Sequence, residues 1–169
     1  MPATYCLNCG ARLVQRLAFG RERPVCPDCG HVHFDDPKVA VGVVAERDGS
    51  ILLTRRNHEP KMGAWSFPSG FVDAFEDVYA AAVREAREET GLTVRIEHLL
   101  GVYQEPESRV IFLAFAAAAG DGEPVAGDEA YEVRFFPIDA LPPPAFHHDP
   151  AIMRAWLEWR RSGAARRCP

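Results

Sequence analysis

The chain has 169 residues, of which 47% are apolar and 25% charged, and its formal net charge is −5. That length suits one domain or a compact domain with a small appendage, and the apolar share excludes a disordered chain. The acidic balance argues against nucleic acid as a partner, and no apolar run approaches the ~20 residues that a membrane helix needs. The opening Met1-Pro2-Ala3-Thr4-Tyr5 has neither the basic start nor the apolar stretch of a secretory signal, so a cytoplasmic location is expected.

Four of the five cysteines fall early, as Cys6-Leu7-Asn8-Cys9-Gly10 and Cys26-Pro27-Asp28-Cys29-Gly30, with 16 residues between the pairs. A glycine after each pair permits the tight turn that points backbone N–H groups at sulfur, and the spacer is long enough for a short hairpin. The spacing reads as a Cys₄ zinc site on Cys6, Cys9, Cys26 and Cys29, closed to substrate and therefore structural. Two disulfides are the alternative, and they require an oxidising compartment that nothing in the chain indicates. Cys168 is expected as an unpaired thiol, and His31 and His33 as surface residues surplus to four ligands.

From Asp35-Asp36-Pro37 the character changes. Val39 to Ala45 and Ile51 to Arg55 read as two strands of a hairpin about the turn Arg47 to Ser50. Trp65 to Pro68 reads as a short extended segment. Asp77 to Thr90 contains no Gly or Pro and predicts a helix stopped by Gly91. Leu92 to Ile96, Leu99 to Gln104, Val110 to Ala117 and Val133 to Pro137 are further strands, and Leu141 to Pro144 is a rigid connector. Asp149 to Arg160 predicts a closing helix that packs Ile152, Met153, Trp156 and Trp159 inward. The fold class is therefore α/β: a mixed sheet with helices on its faces, over residues 36–169, preceded by a zinc ribbon over residues 1–35.

On the first predicted helix Glu85, Glu88 and Glu89 stand at i, i+3 and i+4, on one face. Like charges so spaced repel, so either a hard cation such as Mg²⁺ or Mn²⁺ lies over them or the face is a solvated acidic surface. The neighbouring residues bear on that choice. Gly70, five residues, Glu76, seven residues, then Arg84-Glu85-Ala86-Arg87-Glu88-Glu89-Thr90-Gly91-Leu92 fills every fixed place of the pattern G-x₅-E-x₇-R-E-U-x-E-E-x-G-U, with U apolar. In this the chain resembles the Nudix hydrolases, and the likeness covers nearly all residues after the ribbon.

The resemblance implies a Nudix α/β/α sandwich and a Mg²⁺- or Mn²⁺-dependent pyrophosphohydrolase. It assigns divalent-metal contact to the Gly70 carbonyl, Glu85, Glu88 and Glu89, with Glu85 the base in some members. Arg84 would orient the glutamates, and Glu76 would support the loop or a water. Two places depart from the family pattern: Ser69 stands where many members have glycine, and so does Phe75, where a side chain stiffens the loop or walls the pocket.

The zinc ribbon ahead of the box resembles the NADH pyrophosphatase group and its relatives, yet the S-Q-P-W-P-F-P-type array of the NADH group is missing. The resemblance therefore favours cleavage of an ADP-ribose- or FAD-type nucleoside diphosphate derivative to a nucleoside monophosphate and a phosphorylated remainder. NADH or NAD-capped RNA is the second enzymatic reading, and a non-catalytic nucleotide-sensing or nucleic-acid-binding regulator the third. Relatives of this kind are often homodimers. Glu129, in the acidic stretch Gly127 to Glu132, resembles a downstream metal ligand or base, or else sits in a surface loop. Trp65, Phe71 and Phe75 are candidates for stacking on a ring or for core packing, and Arg55, Arg56 and Arg109 for gripping phosphate or for surface solvation.

Overall fold

A computed structural model of the chain describes residues 3–163, so Cys168 lies outside the described residues. The chain divides into two compact units, Met1–Pro37 and Lys38–Pro169.

In the first unit, strands β1 (Val14–Ala18) and β2 (Arg21–Val25) pair antiparallel from Val14↔Val25 to Ala18↔Arg21. The two-residue turn Phe19-Gly20 has positive φ at both places, 51° and 74°, which matches the twist of a tight hairpin. Each cysteine pair folds into a knuckle: Gly10 N–H donates to the Cys6 carbonyl at 2.9 Å and Gly30 N–H to that of Cys26 at 3.1 Å. His31 and His33 are half-buried rather than fully on the surface.

The second unit is built on a seven-stranded mixed sheet of order β5-β4-β3-β8-β7, with β6 on β3 and β9 on β4. Its strands are β3 (Lys38–Arg47), β4 (Ser50–Arg56), β5 (Trp65–Ser66), β6 (Ser69–Phe71), β7 (Val94–Tyr103), β8 (Val110–Ala119) and β9 (Ala130–Pro137). Helix α1 (Val78–Thr90) covers one face and α2 (Asp149–Arg161) the other. Alternation along β3 explains the sandwich. Val41, Val43 and Ala45 join Ala81, Ala82 and Ala86 of α1 in one core, while Val44 joins Ile152 and Trp156 of α2 in the other. Each fully buried aliphatic chain contributes ~1.5–3 kcal/mol, so both helices are fixed chiefly by these clusters.

The β3–β4 hairpin is shorter than the apolar pattern predicts. Only Glu46↔Ile51 and Arg47↔Ser50 pair, after which the strands part. Into the opening come β6, on β3 at Ala40 to Gly42, and β5, on β4 at Thr54 and Arg55. That insertion brings Gly70 beside α1. The two strands expected over 92–104 are one, β7, whose register against β8 shifts between Ile96 and His98 and again between Leu99 and Gly101. Each shift adds an unpaired residue and breaks the period-two pattern, which makes one bulged strand read as two.

Candidate metal-binding cleft and four-thiol cluster

Helix α1 starts and stops where its end residues dictate. The Asp77 carboxylate accepts the Tyr79 and Ala80 N–H groups at 2.9 and 3.1 Å. Gly91 closes the helix at φ 71°, its N–H on the Arg87 carbonyl at 2.8 Å. This frame presents Glu85 and Glu89 inward, both buried, and Glu88 at the mouth of a cleft of about 810 Å³. Across from them β6 passes so close that a Cβ on Gly70 would fall 2.1 Å from the Glu85 carboxyl carbon. Glycine is required here by contact, not by φ.

Arg84 binds the acidic cluster together. Its Nε and Nη2 each lie 2.7 Å from a different oxygen of Glu76, a bidentate pair. Its Nη1 reaches Glu85 at 2.8 Å and Glu88 at 3.1 Å, and Nη2 also donates to the Phe71 carbonyl at 3.0 Å. The guanidinium holds the Glu76 carboxyl down at about 2, and Glu76 in turn accepts the Asp73 N–H at 3.0 Å, which fixes the loop. Burial pushes Glu85 up despite Arg84. Glu89 is different: it accepts only the Thr54 hydroxyl at 3.1 Å and the Ser69 N–H at 3.4 Å among the described residues, and burial pushes it up to about 8.

The loop before β9 crosses the end of α1. Gly127 N–H donates to the Glu89 carbonyl at 3.1 Å, and a Cβ on Gly127 would lie 1.9 Å from the Glu88 carbonyl oxygen. This places Glu129 on the cleft rim, exposed, with its charge felt by Glu85 and Arg56. Of the three candidate arginines only Arg56 is buried in the cleft, where its Nε donates to the Pro60 carbonyl at 2.9 Å. Arg55 is exposed and donates to the Gly63 carbonyl at 3.2 Å, while the exposed Arg109 gives its carbonyl to the Lys38 N–H at 2.9 Å. Of the three aromatic candidates Phe71 lines the cleft; Trp65 packs edge-on against Phe136 at 4.8 Å, and Phe75 is fully exposed and lines no wall.

Sequence reasoning missed the cleft's other wall, made by Tyr103, Glu105, Phe112, Phe146, His148 and Asp149. Tyr103 and Phe112 look like ordinary strand residues, and His148 and Asp149 like the start of a helix. Only the pairing Tyr103↔Phe112 and the packing of α2 bring them together.

In the first unit the four sulfurs of Cys6, Cys9, Cys26 and Cys29 all lie within 4.8 Å of one another. Contacts of 3.4 to 3.6 Å are far from the ~2.05 Å of a disulfide and near the ~3.8 Å edge of a tetrahedron with 2.3 Å metal–sulfur bonds. Asn8 N–H points at Cys6 sulfur and Cys29 N–H at Cys26 sulfur, each at 3.4 Å. The cluster is one that could hold a metal ion.

The NUDIX domain family matches residues 36–157. An ADP-ribose pyrophosphatase of Methanocaldococcus jannaschii is 41% identical over 128 residues, which is 73% of this chain and 75% of that protein. The NAD-capped RNA hydrolase NudC of Pseudomonas aeruginosa is 36% identical over 169 residues, 95% of this chain, but the match spans only 58% of that longer relative. A crystal structure of a NUDIX hydrolase from Nitrosomonas europaea superposes with TM-score 0.88 at 32% identity, covering 95% of this chain and 94% of that one. No helix among the described residues is long and apolar enough to cross a membrane.

Proposed function

The chain belongs to the Nudix family, and on that premise we propose that it is a Mg²⁺- or Mn²⁺-dependent pyrophosphohydrolase cleaving an ADP-ribose- or FAD-type nucleoside diphosphate derivative. The products are a nucleoside monophosphate and the phosphorylated remainder. The observation that carries the reading is the buried pair Glu85 and Glu89, with Glu88 at the mouth, facing the Gly70 backbone in one cleft. The donor set fits a hard divalent cation: carboxylate oxygens and a carbonyl, with Arg84 engaged on Glu76, Glu85 and Glu88 and no cationic group bonded to Glu89 among the described residues. The relative named an ADP-ribose pyrophosphatase, aligned over three quarters of its length, supports the substrate class.

Gly70, Glu85, Glu88 and Glu89 would hold the metal, which supplies charge neutralisation of the diphosphate and acidifies water for attack near neutral pH. Arg84 fixes the carboxylates before substrate arrives, so little reorganisation is left for the reaction. Glu76, locked to Arg84 and the Asp73 N–H, holds the loop that carries Phe71 and Asp73. Arg56, buried in the same cleft within electrostatic reach of Glu89 and Glu129, offers the diphosphate a guanidinium. Glu129 on the rim is the candidate for an added ligand or base. The four thiols of the first unit are assigned a structural Zn²⁺, with every ligand place taken by sulfur.

A second reading, removal of an NAD-type group, is favoured by the NudC relative that aligns over 95% of the chain. One panel separates them: ADP-ribose, FAD, NADH and NAD-capped RNA with Mg²⁺ or Mn²⁺, products resolved by mass. Turnover of ADP-ribose or FAD above the others supports the first reading; preference for the capped RNA or NADH replaces it. Glu89→Gln should abolish hydrolysis with folding unchanged, and retained Mg²⁺-dependent turnover would sink the metal assignment.

A further inference from the structure

The cleft has two chemically different ends. The acidic end is occupied by the glutamates of α1, whereas the opposite wall is aromatic. There Tyr103 of β7 and Phe112 of β8 are direct cross-strand partners. The Phe112 ring lies on bare glycine backbone, its Cζ 2.2 Å from where a Cβ of Gly42 would stand, so any larger residue would push the ring into the cleft. His148 packs 4.8 Å from Phe112 and lies parallel to Phe146 at 5.5 Å, and Arg56 covers Phe146 at 5.4 Å. No residue of this wall bonds to Glu85, Glu88 or Glu89 among the described residues, so holding metal does not explain it.

Two carboxylates and one orphaned nitrogen belong to the same wall. Glu105 accepts the His147 N–H through Oε1 at 3.1 Å, and its Oε2 has no hydrogen-bond partner among the described residues. Asp149 is buried and accepts the Phe146 N–H at 2.9 Å. His148 Nδ1 lies 3.3 Å from Glu105 Oε1 in poor alignment, and it is the one buried side-chain nitrogen or oxygen without a hydrogen bond among the described residues. A wall of flat apolar rings edged by one buried nitrogen without a partner and a carboxylate oxygen open to the cleft is built for a flat ligand with a polar edge.

Resting on the reading that the substrate is a nucleoside diphosphate derivative, we propose that this wall is the nucleobase subsite and selects a base with an exocyclic amino group, the adenine type. Tyr103 and Phe112 give the ring its apolar contact, and Glu105 accepts the amino N–H. An ionised carboxylate only accepts. An amino edge therefore donates to it, whereas a keto edge sets oxygen against oxygen and leaves both unpaired.

The test is equilibrium binding of AMP, IMP and nicotinamide mononucleotide to the full chain by calorimetry, with ADP-ribose hydrolysis measured separately. AMP is expected to bind at least about tenfold more tightly than IMP, the effect of one mismatched polar contact. Glu105→Gln should bring that ratio to one or below, because the amide, its carbonyl still accepting from His147, donates to a keto oxygen and opposes an amino edge. Phe112→Leu should weaken AMP and IMP alike and keep the ratio. Equal binding of AMP and IMP by the wild type, a ratio untouched by Glu105→Gln, tighter binding of nicotinamide mononucleotide, or no AMP binding overturns the subsite. Loss of ADP-ribose hydrolysis with AMP selectivity intact overturns the reaction instead, so the two readings fail separately.

Discussion

Gly70 and Glu85 are in such close approach that one added methyl group would overlap the Glu85 carboxylate, with its carbon 2.1 Å from Cδ. Glu85 is buried at the cleft wall and held by Arg84 Nη1 at 2.8 Å, so it can yield only by moving into the cleft and off that contact. Gly70→Ala is therefore expected to displace the carboxylate while leaving the β3–β6 ladder paired. A shift of about 1 Å in a reacting geometry costs on the order of 10²-fold in rate, so kcat/KM should fall by about that much. Thermal unfolding should move by only a few degrees, as for a ~1 kcal/mol change. Steady-state kinetics beside a melting curve checks this, and an unchanged kcat/KM would show that Glu85 does not need its present position.

The metal-free protein should lose stability as pH rises. Burial is the main cause that pushes Glu89 up to about 8, from an ordinary value near 4.5, against the opposing Thr54 and Ser69 hydrogen bonds. Between those values the folded chain keeps a proton that the unfolded chain has released. The contribution is thus fully present below about pH 4.5 and is lost as pH climbs through about 8, at up to ~1.4 kcal/mol per pH unit. Glu85 is shifted in the same direction by burial and adds to the slope. Urea unfolding without added divalent metal, from pH 5 to pH 9, should show the decline, and Glu89→Gln should flatten it. Mg²⁺ affinity should rise over the same interval, since binding expels the proton.

The features legible in the sequence were those with short-range causes. Asp77 and Gly91 bound α1 because one carboxylate and one left-handed glycine act within a turn of their own position. The four cysteines are likewise paired by local knuckles. The bulges of β7 were hidden because a register shift is a property of two strands, and Ile96 to Gly101 carries no breaker until the last residue. The aromatic wall was hidden for a similar reason: 45 positions separate Tyr103 from His148, and neither is unusual in its own segment. Arg56 could be chosen over Arg55 only once β4 had its partners, since the pleat sends neighbouring side chains to opposite faces and only the packing around β4 decides which face is buried.

Phe75 stands at φ 69° and is fully exposed, so it occupies left-handed backbone without packing in return. A non-glycine residue in that region costs ~1–2 kcal/mol, and glycine adds back ~0.5–1 kcal/mol of chain entropy on folding. The conformational relief is the larger, so Phe75→Gly should stabilise the protein by about 0.5–1 kcal/mol. Chemical denaturation of the two proteins decides the sign. A destabilised variant would mean that the ring makes a contact in solution that offsets its backbone cost.

Cys6→Ser tests the thiol cluster. Cys6 is buried, its sulfur lies 3.6 Å from that of Cys29, and it accepts the Asn8 N–H at 3.4 Å, so serine fits the space but offers a poor ligand. Zinc bound by small thiolate sites contributes ~10–16 kcal/mol that is also folding free energy, far more than a hairpin of two five-residue strands can supply. Losing one of four ligands should therefore release the metal. Zinc measured by atomic emission on freshly purified protein is expected near one ion per chain for the wild type, and well below one for the variant. Proteolysis of the variant should begin between the cysteine pairs, in the segment from Val14 to Val25 that the cluster otherwise pins at both ends. Full zinc content in Cys6→Ser, or protection of that segment in metal-free protein, would assign the four thiols a role other than holding the ribbon closed.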